Sequence, residues 1–93
     1  MIKSFGDKET ELLFNRAKIK KLPVDIQQRA RRKLLIIHFA VDENDLSTPP
    51  GNRFERLKGN RKDQCSIRIN DQWRVVFKWL DGNAYDVTIM DYH

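Results

Sequence analysis

The chain has one cysteine, Cys65, in 93 residues, so no disulfide can form within it and a reducing compartment is expected. Its two histidines and single thiol never fall at metal-ligand spacing, and no metal or other cofactor is expected. Long apolar runs are missing as well. The longest, Leu34 to Ile37, is far too short to cross a bilayer, and Met1 to Asp7 is charged without the apolar stretch of a signal peptide. These features predict a cytoplasmic protein without a membrane partner. The length gives one domain, residues 1–93, and the hydrophobic fraction of 40% supplies a single core.

Charge is abundant and uneven. Lysine and arginine number 18 against 13 acidic residues, for a net +5 and a pI near 9.6. Residues 1–40 hold ten basic and four acidic residues, whereas 41–52 hold three acidic and no basic ones. A basic domain with a separate acidic loop suits a polyanionic partner meeting one face, and equally suits a solvated surface.

Two helices followed by strands is the pattern along the chain. Asp7 can cap a helix over about residues 8–19, with Leu12, Leu13 and Ala17 facing inward and Lys18, Lys20 and Lys21 at its C-terminal end. Pro23 fits the first turn of a second helix, in which Ile26, Ala30, Leu34, Ile37 and Val41 form an apolar stripe. Arg29, Arg31, Arg32 and Lys33 lie largely off that stripe, as a solvated face would. Residues 42–53 read as a loop broken by Pro49-Pro50-Gly51-Asn52. Alternating segments then follow at Cys65–Ile69, Trp73–Trp79 and Tyr85–Ile89, the last after the turn signal Asp81-Gly82-Asn83. A short strand at Ile2–Phe5 would complete the sheet. The predicted class is α+β, with two N-terminal helices packed on an antiparallel sheet.

Three features carry chemistry. With Asn70-Asp71-Gln72 as a hairpin loop, Ile69 pairs with Trp73, Ile67 with Val75 and Arg68 with Arg74. Two arginines on one sheet face can clamp a phosphate through bidentate bonds, or splay apart into water. The C-terminal Asp91-Tyr92-His93 gathers three titratable groups, and nearby anions favour an imidazolium at His93 that can serve as a general acid. The alternative is an inert, frayed end. The segment Arg53 to Arg61 alternates basic and apolar residues, and Lys58 before Gly59 can present its amine to a phosphate. Metal-free RNA cleavage requires a base, an acid and cations, and these residues cover each role.

Taken in order, Asn52-Arg53-Phe54-Glu55-Arg56-Leu57-Lys58-Gly59-Asn60-Arg61, Ser66 to Phe77 with its Trp73-Arg74, and terminal Asp91-Tyr92-His93 resemble HigB toxins of the RelE/ParE toxin–antitoxin superfamily. Met1-Ile2-Lys3-Ser4-Phe5 is similar too, so the resemblance spans nearly the whole chain. It implies a RelE-like, microbial RNase-like fold and an endoribonuclease that cleaves mRNA in the ribosomal A site. It implies Lys58, Asp91, Tyr92 and His93 as the catalytic group, Arg74 as a phosphate contact, and a HigA-like helix-turn-helix antitoxin as partner. Arg53, Arg61 and Arg68 join Arg74 as candidate RNA-binding residues. Some relatives carry a histidine where this chain has Glu55. The competing readings are a ParE-like gyrase poison, which has no need of the Lys58 and Asp91-Tyr92-His93 combination, and a non-catalytic basic RNA- or DNA-binding module.

Overall fold

Asp7 caps the first helix as its position predicts, its carboxylate accepting from the Thr10 N–H at 2.8 Å. A computed structural model describes residues 1–20, 22–57, 59 and 63–91. Helix α1 covers Lys8–Phe14, shorter than the spacing predicts. It stops because Arg16 turns left-handed (φ 71°) and a Schellman pair closes the end, Arg16 N–H to Leu13 O and Ala17 N–H to Leu12 O. Lys18 and Lys20 therefore lie beyond the helix, and Lys21 is outside the described residues. Thr10 and Leu13, not Leu12, are its buried residues.

Helix α2 spans Val24–Phe39, with Pro23 one position earlier than expected, at the N-cap. Ala30, Leu34 and Ile37 are wholly buried, and Ile26 packs against the core. Val41 departs from the stripe: it lies past the helix end and is 76% exposed. The side chain of Gln27 binds the irregular segment after α1, donating to Ile19 O and Leu22 O at 2.8 and 3.0 Å. The expected loop contains a short helix α3, Glu43–Leu46, capped by Asp42, and a 3-10 turn at Pro50–Asn52.

The described strands, β1 (Glu55–Arg56), β2 (Gln64–Arg68), β3 (Trp73–Leu80) and β4 (Asn83–Asp91), form one antiparallel sheet in sequential order. The two-residue β1 had no signal of its own in the sequence. Ile67 pairs with Val75 and Arg68 with Arg74, as the alternation predicts, and the Ile69 N–H reaches Trp73 O. Trp73 pairs with Asp91, also as expected, but by a different route. The β3–β4 turn has two residues, Asp81 and Gly82, both at positive φ. A bulge at Asp86 (φ 54°) then inserts the residue the shorter turn omits. Ile2 and Phe5 make isolated parallel bridges to Ala84 and Val87 rather than a regular strand.

Leu13, Leu34, Ile37, Cys65, Ile67, Val75, Phe77, Val87 and Ile89 fill the core on the helix side. Burial at Cys65 pushes its thiol up to about 12, against the opposing pull of Arg56.

Candidate functional site

Cross-strand pairing sets two rows on the outer sheet face, away from the core. Glu55, Ser66, Val76 and Thr88 form one; Arg68, Arg74 and Met90 form the next. Gln64, Val76, Asp86, Thr88 and Met90 line a shallow depression there of about 260 Å³.

Arg74 is the buried cation of this face, 8% exposed. Its Nε donates to Ser66 Oγ at 2.9 Å and its Nη2 to the Arg53 carbonyl at 2.6 Å. That carbonyl is aimed inward because Arg53 ends the 3-10 turn in the left-handed region (φ 45°). Arg74 thus fastens the 49–53 loop to the sheet, and part of its five-donor fork is committed to protein. Arg68 faces it across the strands but turns to the Asp71 carboxylate on the hairpin. The two guanidinium groups separate, each with an acceptor of its own, as like charges do when no anion lies between them.

Asp91 ends β4 opposite Trp73, exposed, and accepts from Gln72 Nε2 at 3.2 Å. Asp91 and Arg74 thus occupy adjacent positions of the β3–β4 ladder but opposite faces. Arg53 presents an exposed side chain beside its bonded carbonyl. Lys58, Arg61, Tyr92 and His93 lie outside the described residues. Lys58 follows Leu57, whose N–H is bound to Gln64 O, so its segment departs from the β1 edge of this sheet. Among the described residues, no three His, Cys, Asp or Glu side chains come together as metal ligands.

Sequence reading missed a cleft of about 470 Å³ between α2, the 49–51 turn and the β2–β3 hairpin. Arg29, Arg32, Lys33 and Arg68 line it, with Ile69 and Asn70 at its floor and rim. Desolvation lowers the Lys33 amine from its ordinary range, and the charges of Arg29 and Arg68 lower it further. Lys33 donates to Asn52 Oδ1, and the buried Asn52 amide binds Leu46 O and Thr48 O, both at 3.1 Å. The signal was present in the spacing: 29, 32, 33 and 36 share one helical face. Each basic residue taken singly read as solvated.

This architecture is that of RelE-type toxins: YafQ from E. coli superposes with a TM-score of 0.64 at 16% identity, covering 98% of this chain and 91% of that one. The sequence carries the assignment further. The model for the RelE-like toxin of the type II toxin–antitoxin system HigB matches residues 3–93. Toxin HigB-1 of Vibrio cholerae is 46% identical over all of this chain and 98% of its own length. Endoribonuclease HigB of Proteus vulgaris is 32% identical over the full length of both. The chain belongs to the HigB family of type II toxins.

Proposed function

We propose that this HigB-family toxin is an endoribonuclease that cuts mRNA in the ribosomal A site, acting in the cytoplasm under restraint by a HigA-like helix-turn-helix antitoxin. The carrying observation is the β3–β4 register. It sets Asp91, which leads directly into Tyr92-His93, against Gln72-Trp73, one position from the buried Arg74. The Proteus vulgaris relative named as an endoribonuclease supports the same reading.

The chemistry requires no more than these groups. A base, Asp91 or His93, takes the proton from a ribose 2′-OH, and the resulting oxygen bonds to the adjacent phosphorus. The bond from phosphorus to the 5′-oxygen breaks, and the other member of the pair protonates that leaving oxygen. The products are a 2′,3′-cyclic phosphate and a 5′-hydroxyl. Lys58 and Arg74 stabilise the charge gathered on the phosphorane, Tyr92 orients the RNA, and Arg53, Arg61 and Arg68 hold flanking phosphates. Arg74 enters with its guanidinium already oriented by Ser66 and Arg53, so little is lost in ordering it.

The test is reconstituted translation with primer extension of the message, for wild type and His93→Ala. Wild type is expected to give A-site ends, and the variant a rate lower by about 10²–10⁴. Intact message with folded wild-type protein present would overturn the nuclease reading and turn attention to DNA gyrase.

A further inference from the structure

The cleft along α2 has a neighbour. A second depression of about 250 Å³ is lined by Arg16, Gln28, Arg31, Arg32 and Leu35, so Arg32 belongs to both. The cations form a continuous track: Arg68 and Lys33 at the sheet end, Arg29 and Arg32 along the helix, Arg31 and Arg16 beyond. Arg31 is partly held by the fold, donating to Leu13 O. Arg29 and Arg32 are exposed and make no ion pair with any described residue. The ion-paired carboxylate at the cleft is Asp71, almost wholly exposed and already engaged by Arg68. Gathering like charges this closely opposes folding, as the depressed Lys33 amine registers. An extended anion removes that repulsion.

We propose that this track binds the sugar–phosphate backbone of single-stranded RNA on one side of the bond that is cut. The inference rests on the nuclease reading for the identity of the polyanion. Two features select a single strand. The track is a walled cleft between a helix and a turn, which admits one backbone and excludes a duplex. It also begins at Arg68, whose cross-strand partner is Arg74, so a strand leaving the candidate site meets the track without a gap. Phosphate contacts position a strand and carry no base preference.

The experiment measures binding rather than cleavage. Full-length toxin, folded Arg29→Ala/Arg32→Ala variant and His93→Ala variant are titrated into a fluorescent 2′-O-methyl RNA 16-mer, which cannot be cut, at several salt concentrations. The double variant is expected to bind about tenfold more weakly. Its slope of log affinity against log salt should fall by about 1.4, since each lost single-strand phosphate contact removes about 0.7. His93→Ala should bind as wild type does, so loss of cleavage and loss of the track are read separately. Unchanged affinity and slope in the double variant would sink the proposal. So would equal binding of a duplex of the same sequence, or displacement of the RNA by a poly-glutamate peptide at matched charge, which would assign the track to a protein partner.

Discussion

The guanidinium of Arg74 joins Ser66 on β2 to the Arg53 carbonyl in the 49–53 loop, while its charge stands on the face where phosphate is proposed to bind. Two substitutions separate these duties. Arg74→Met leaves a buried carbonyl and hydroxyl without their donor, and urea unfolding should show a loss of about 2–3 kcal/mol. Arg74→Lys keeps the charge but not the fork, so it should retain more stability than Met while still losing cleavage. A lysine variant with the wild-type rate would show that the reaction does not use the fork. Cys65 gives a second residue-level expectation. Its folded thiol is held near 12 against an ordinary 9.0, so folding favours the protonated form. That contribution is complete below pH 9 and fades as pH climbs toward 12. Stability measured across that window should therefore fall more steeply for wild type than for Cys65→Ala.

Elements here end on residues that take left-handed backbone, and this is where the sequence misleads. Helix α1 stops at Phe14 because Arg16 adopts φ 71°, and arginine carries no signal for that conformation. Arg16→Gly should raise stability by about 0.5–1 kcal/mol in thermal unfolding, since glycine takes that conformation without crowding. Asp7→Ala should lower it by about 1 kcal/mol through loss of the cap to Thr10. The cap was legible, because an aspartate before an apolar-periodic stretch has a defined role. The pairing of β2 with β3 was legible for a similar reason: one apolar face leaves a single register that keeps it dry. The β3–β4 turn shows the limit. A three-residue turn and a two-residue turn with a bulge at Asp86 pair Trp73 with Asp91 alike, and side-chain alternation cannot distinguish them. Strand β1 and helix α3 were hidden because two and four residues are too few to show a period. The α2 track was hidden because it exists only where the 49–51 turn and the hairpin fold against the helix.

At the scale of the whole molecule, the first residues close the sheet that ends in the candidate catalytic tripeptide. The open side of β4 is covered almost in full: Lys3 N–H and Ala84 N–H exchange bonds with Ala84 O and Met1 O, and Gly6 N–H and Val87 N–H with Val87 O and Ser4 O. Ser4 Oγ accepts from the Asp86 N–H at the bulge, and Thr10 Oγ1 from the Ile89 N–H. An exposed strand edge invites pairing with other chains, and this cover removes most of the invitation. Ile2 and Phe5 also pack against the core. Each lost backbone bond is worth about 0.5–1.5 kcal/mol and each partly buried apolar side chain about 1–2 kcal/mol. Together these approach the entire stability of a small domain, about 5–15 kcal/mol. Removing residues 1–6 should therefore abolish the cooperative thermal transition and promote aggregation through β4, with cleavage lost although Asp91, Tyr92 and His93 are intact in sequence. Calorimetry with light scattering decides it. A truncated chain that melts cooperatively near the wild-type temperature would mean that the helices alone hold β4 in register, and that the N-terminal segment serves only to cover its edge.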